Sequence, residues 1–217
     1  MSKISFLYRI LVLIALSNTY FSGFLIPNRN LLRHNVSFDI IILFYYLLSL
    51  TVRLYLWGMS MEYIIREIKD TEYPLLDDFL YEAIFVPNGA QPPERCVINL
   101  PELQVYVSDF GKKKDDVCFV AEVKDKVVGA VWARVMNDYG HIEDGVPSLA
   151  ISLYKEYRGY GIGTTLMKRI LCELKQIGYK KTSLSVQKAN FAVWMYLNIG
   201  FEIIDESEEE YIMICNL

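Results

Sequence analysis

Hydrophobic and polar positions divide the 217-residue chain into two stretches of different texture. From Ile10 to Asn28 no residue is charged, and from Ile40 to Met61 the only charge is Arg53. Each stretch is close to the ~20 residues that span the hydrocarbon core of a bilayer. The polar loop between them carries Arg29 and Arg33. This pattern predicts a helical hairpin in a membrane, where backbone groups must bond within the helices. A signal peptide fits less well, because Arg9 interrupts the apolar region and a second apolar stretch follows. The alternative is that the natural start is Met59 or Met61, with the upstream stretch a mis-called reading frame. The boundary falls in the same place on either reading: an apolar segment over 1–58 and a separate domain over 59–217.

From Met61 the period changes. Residues 62–68 (Glu-Tyr-Ile-Ile-Arg-Glu-Ile) predict a strand, and Tyr73, Leu76, Phe79, Leu80 and Ala83 have the spacing of a helix over 72–84. A loop holding Pro87, Pro92 and Pro93 follows, and Pro101 suits the first position of a helix running to Phe110. Val117–Val123 and Val127–Met136 are β-rich runs joined by the turn Lys124-Asp125-Lys126. Further strands are predicted over Ser148–Leu153, Thr182–Val186 and Tyr211–Cys215. Residues 163–177 form an amphipathic helix with Leu166, Ile170, Leu174 and Ile177 on one stripe, stopped by Gly178, and 190–199 form a helix stopped by Gly200.

Charge narrows the function. Five of the 22 Lys and Arg and one of the 26 Asp and Glu fall in 1–58, so 59–217 carries 17 against 25, a net of −8. Phosphate neutralisation needs clustered Lys and Arg, so nucleic acid is excluded as a partner. An amine-bearing substrate suits an acidic domain. Cys96, Cys118, Cys172 and Cys215 lack metal-ligand spacing, and His34 and His141 are the only histidines, so no metal site is expected. The four cysteines read as reduced core thiols of an intracellular protein.

The informative stretch is the strand Ser148–Leu153 followed by Arg158-Gly159-Tyr160-Gly161-Ile162-Gly163-Thr164, which opens into the amphipathic helix. A Gly-rich turn between a strand and a helix start is an anion site. Its amides point inward, the helix terminus adds roughly half a positive charge, and glycines admit a pyrophosphate to the backbone. Arg158 adds a charge-assisted contact. A P-loop would need Lys where Gly163-Thr164-Thr165 stands, and a dinucleotide fold would place the turn after its first strand, with an acid about 20 residues on.

The stretch instead resembles the cofactor motif of the GNAT acyltransferase superfamily, Gln/Arg-x-x-Gly-x-Gly/Ala, matched by Arg158, Gly161 and Gly163. Asn190, Met195-Tyr196 and Gly200-Phe201 resemble the elements that follow it in that family. The resemblance implies an α/β (α+β) fold, with a mixed, mostly antiparallel sheet flanked by helices and two central strands splayed in a V. It implies acetyl-CoA as co-substrate and a primary amine, on a small molecule or a protein, as acceptor. The pantetheine arm would pair with the backbone at Ile151, Ser152 and Leu153. The pyrophosphate would lie on the amides of Gly159, Tyr160, Gly161, Ile162, Gly163 and Thr164. Asn190 would touch the CoA arm, although an Asn opening a helix also caps its own backbone.

The resemblance also implies Tyr196, by its position before Gly200-Phe201, as the general acid, its plainer role being packing. The strand before the loop offers Ser148 and Ser152 but no acid, so the general base is open. The nearest titratable residues are Asp138, His141, Glu143 and Asp144, whose plainer reading is a solvated loop, and a water chain is a further route for the proton. The run Asp205–Glu210 reads as a solvated turn. Without a base, a non-catalytic acyl-CoA sensor is the alternative function. Because acetyl-CoA is a cytosolic metabolite, the domain is expected on the cytoplasmic side, anchored by 1–58 if that segment is translated.

Overall fold

The computed structural model describes residues 61–217; the hairpin expected in 1–58 lies outside the described residues. Among the described residues, no helix is long and apolar enough to cross a membrane. The described chain runs β1 (Ile64–Glu67), α1 (Leu75–Ala83), α2 (Pro101–Gln104), β2 (Val117–Val123), β3 (Lys126–Arg134) and β4 (Ser148–Leu153). It continues through α3 (Ile162–Gln176), β5 (Lys181–Gln187), α4 (Ala192–Asn198), β6 (Phe201–Glu206) and β7 (Glu210–Asn216). These strands form a seven-stranded sheet in the order β1-β2-β3-β4-β5-β7-β6. Every pairing is antiparallel except β4 with β5. The expected mixed, mostly antiparallel sheet is therefore present.

Alternation along the central strands builds two cores, one on each face of the sheet. Phe119, Ala121, Val131, Ala133, Leu149 and Leu153 face α3, which contributes Leu166, Met167, Ile170 and Leu174, all fully buried. Cys118, Val120, Ala130 and Trp132 face α1, which contributes Leu76, Phe79 and Leu80. Each such side chain is worth ~1.5–3 kcal/mol on burial, so both helices are held by their apolar stripes rather than by propensity.

Four expectations are corrected. The helix opened by Pro101 ends at Gln104 rather than Phe110. Asp109 sits at φ 55, which an α-helix cannot hold, and Arg134 takes the carbonyls of Val105 and Ser108. Ile177, placed on the buried stripe of α3, is half exposed, because it caps the helix and no longer faces the sheet. Asp205 and Glu206 belong to β6, Glu210 opens β7, and only 207–209 form the turn. Of the expected core thiols, Cys118 and Cys215 are buried but Cys96 and Cys172 are exposed, since neither lies on an inward-facing position.

Arg134 is 1% exposed. Its guanidinium grips Asp116 through Nε at 2.9 Å and Nη2 at 2.8 Å, while Nη1 donates to Val105 at 3.0 Å and Ser108 at 2.8 Å. The segment after α2 is thus tied to the sheet by one satisfied buried charge pair. Removing one partner strands the other charge. We expect Asp116→Ala to lower the unfolding free energy by ~3–5 kcal/mol, measured by urea denaturation. An unchanged denaturation midpoint would show that this pair does not anchor the segment.

Candidate active site

β4 and β5 run together only at the register pair Ser148 and Ser183. Two bonds to Pro147 close the root, one from the Ser183 amide at 3.1 Å and one from the Thr182 hydroxyl at 2.7 Å. Beyond it the strands part. The backbone of Gly140 lies against β5, where a Cβ would stand 2.9 Å from the Ser185 nitrogen, so only glycine fits this approach. A cavity of about 910 Å³ occupies the gap. Residues 149–153 line it, so the β4 edge that no longer pairs with β5 offers its amides and carbonyls to whatever enters.

The upper end of the cavity is the Gly-rich loop. Gly159 and Gly161 have φ of 83° and 82°, and Gly161 is the N-cap of α3 with no side-chain cap. The first amides of α3 lack intrahelical acceptors, and Gly161, Gly163 and Thr164 line the cavity. The first turn is secured by Thr165, whose amide and hydroxyl both reach the Gly161 carbonyl, and Tyr63 bonds Thr165 Oγ1 at 2.8 Å. An uncapped helix start with positive partial charge therefore faces the gap.

The predicted site residues divide into three groups. Ile151, Leu153, Gly159, Gly161, Gly163, Thr164, Asn190 and Tyr196 all line this one cavity. Ser152 lines it too, but its hydroxyl donates to the Phe79 carbonyl at 2.6 Å, so only its backbone is free to serve a ligand. Ile162 is buried in the core below α3, and Tyr160 packs against that core.

Arg158 lines the cavity with its guanidinium turned back. Nε donates to the Leu153 carbonyl at 2.8 Å, and Nη2 reaches the Glu82 carboxylate at 3.3 Å. It braces the loop against β4 and α1. Asn190 caps: its Oδ1 accepts the Ala192 amide at 2.9 Å. Tyr196, on α4, is 6% exposed, with its ring 5.6 Å from Phe201. Burial pushes its phenol well above the ordinary tyrosine value, so it stays protonated at neutral pH and can act as a donor.

The four candidates for the base separate sharply. Glu143 pairs with Lys181 at 2.6 Å, and Asp144 is fully exposed, 3.8 Å from His141 Nε2. His141 Nδ1 meets the Met136 carbonyl. These three are the solvated loop. Asp138 is not, since it accepts the Ser148 hydroxyl at 2.7 Å at the root of the gap. Sequence reasoning missed Glu82, Tyr106, Tyr139 and Glu210, which also line the cavity. Glu210 accepts the Ser185 hydroxyl at 2.8 Å. Its place at the head of a β-rich run was the available signal; nothing local marked the others.

The model of the Acetyltransferase (GNAT) family matches residues 80–201, more than half of the chain. N-acetyltransferase 8B of Homo sapiens is 31% identical over 104 residues, which is 47% of this chain and 44% of that protein. The chain thus matches less than half the length of the human relative. An N-alpha-acetyltransferase of Sulfurisphaera tokodaii is 26% identical over 122 residues, 49% of this chain and 72% of that one. The fold is similar to the crystal structure of PaiA N-acetyltransferase from Thermoplasma acidophilum in complex with coenzyme A. The TM-score is 0.52 at 18% identity, covering 72% of this chain and all of that one.

Two glycines two residues apart should respond differently to alanine. At Gly161 a Cβ meets nothing within 4 Å, yet φ of 82° strains any L-residue. At Gly163 the backbone is helical, and a Cβ makes ordinary contacts of 3.5 Å with Leu153 and 3.6 Å with Met195. We expect Gly161→Ala to cost ~1–2 kcal/mol and Gly163→Ala to be neutral or stabilising, read as melting temperatures. Equal effects would show that loop conformation does not distinguish them.

Proposed function

The chain belongs to the GNAT family of acetyltransferases, and on that premise we propose that it transfers an acetyl group from acetyl-CoA to a primary amine. The observation that carries this reading is the convergence of three features on one cavity: the uncapped start of α3, the unpaired edge of β4, and the buried, protonated Tyr196.

Each feature matches one requirement of acyl transfer. The amides of Gly159 to Thr164 suit a pyrophosphate, and at Gly161 the absent Cβ leaves open space where a side chain would stand. The β4 edge at 151–153 suits an amide-bearing arm, which it would bind as an added strand. Acetyl-CoA supplies the activated acyl group when bound. An edge amide of β4 is a donor for developing negative charge on the acyl oxygen. We assign to the Tyr196 hydroxyl the proton that the departing thiolate takes up; burial holds the phenol in its protonated form.

Calorimetry with the full chain tests the cofactor half. We expect acetyl-CoA to bind, and Gly161→Asp to weaken it at least tenfold, since a carboxylate would meet the phosphates with like charge. No binding at millimolar acetyl-CoA would refute the reading. CoA release against a polyamine, an amino-acid amide, a peptide with a free N-terminus and a lysine-bearing peptide tests the transfer half. With an accepted amine, Tyr196→Phe should lower turnover ~10²–10⁴-fold while leaving acetyl-CoA affinity unchanged. Binding without CoA release to any amine would favour the acyl-CoA-binding module instead.

A further inference from the structure

The acceptor amine is an ammonium at neutral pH, and it must lose a proton before it can attack. The reading above gives that proton no destination. The structure offers one at the root of the gap. Ser148 is fully buried, and its hydroxyl lies 2.7 Å from Asp138 Oδ1 and 3.3 Å from the Ser183 hydroxyl. These groups sit at the single pair that joins β4 to β5. The second carboxylate oxygen, Asp138 Oδ2, is buried with no hydrogen-bond partner. An unsatisfied buried acceptor costs ~1–3 kcal/mol, more when charged, so one kept in place calls for an explanation.

Tyr106 lines the cavity, and its phenol is near enough to the Asp138 carboxylate to feel its charge. Its backbone is pinned by Trp132, whose Nε1 donates to the Tyr106 carbonyl at 3.1 Å, and by the Arg134 bond to the neighbouring Val105. Burial and then the charge of Asp138 push the Tyr106 phenol far above its ordinary value, so it carries a proton throughout the working range. The other titratable groups of the loop point elsewhere, His141 toward Asp144 and Glu143 to Lys181, and the Tyr139 phenol is the remaining neighbour of Tyr106. Tyr106 belongs to the α1 face of the sheet and Tyr196 to the α3 face. The cavity is lined by both, because the strands between them have parted.

We infer that Asp138 accepts the proton of the incoming ammonium through the hydroxyl of Tyr106. The ammonium N–H gives its proton to the Tyr106 oxygen as the Tyr106 O–H gives its own to Asp138 Oδ2. The products are a neutral amine, a neutral tyrosine and a neutral carboxylic acid. Tyr106 is the residue that meets the substrate; Asp138 acts through it, with Ser148 fixing the carboxylate. Proton acceptor and proton donor thus approach the acyl carbon from opposite faces of the sheet. This inference rests on the acetyl-transfer reading.

The test is the pH profile of kcat/KM for CoA release, using the full chain, acetyl-CoA and whichever of the four amines above turns over fastest. Asp138→Asn should lower kcat/KM about a hundredfold at pH 7 with acetyl-CoA affinity unchanged. The deficit should shrink about tenfold per pH unit toward the amine's own pKa, because free amine needs no acceptor. Tyr106→Phe should show the same pH-dependent deficit, and it carries the test alone if Asp138→Asn does not fold. A deficit constant across pH, or none, overturns the inference while leaving acetyl transfer intact. A wild-type chain that binds acetyl-CoA but releases CoA to no amine refutes the acetyl-transfer reading, and this inference with it.

Discussion

Everything in this domain turns on two parallel strands that pair once and then separate. A parallel pair normally continues its ladder, because an unpaired backbone edge inside a protein is costly. Here β4 and β5 join at Ser148 and Ser183 and go no further. The split is stable because each strand is fully paired on its other side, β4 with β3 and β5 with β7. The two half-sheets each have a complete ladder. Pro147 and Thr182 hold them together at the root, and Gly140 keeps its backbone against the freed edge of β5.

That geometry explains why the site is built from both faces of a sheet. A continuous sheet would separate the α1 core from the α3 core. With the gap open, the helix start of α3, the tyrosine of α4, and Tyr106 beyond α2 all border one space. The braces lie on the side of α1. Arg134 and Asp116 fix the segment that carries Tyr106, and Arg158 links the Gly-rich loop to Glu82 at the end of α1. The first pair is buried, where losing one partner would strand the other charge. The second is partly exposed, so its contribution lies in positioning more than in free energy.

The acidic balance of the domain proves less specific than its size suggests. Asp205, Glu206, Glu208 and Glu209 are exposed at the β6–β7 hairpin, where Lys188 pairs with Glu206. The acids that line the cavity are engaged, Glu82 by Arg158 and Glu210 by Ser185, and at the root of the gap one oxygen of Asp138 is held by Ser148. Net charge steers ligands from a distance. The proton transfer proposed for the gap rests instead on a carboxylate whose geometry is set by a named donor, Ser148.

What was legible in the sequence was local. The Gly-rich turn between Ser148–Leu153 and α3 can be read because a turn, a helix start and an apolar stripe are encoded by neighbours in the chain. The same holds for the Lys124-Asp125 hairpin and for Pro101 opening a helix. β6 escaped because its residues Glu202 to Glu206 are exposed, and an edge strand with little buried surface leaves no alternating signal. The role of Arg158 escaped because its partner Glu82 lies 76 residues away. Asp138 and Tyr106 are 32 positions apart in sequence, and neither sits in a motif. Their meeting depends on Arg134 and Trp132 fastening the segment after α2 to the sheet. Spacing along the chain specifies which side chains share a face of one element. It carries no information on which elements a buried ion pair will draw together, and that was decided only by the tertiary structure.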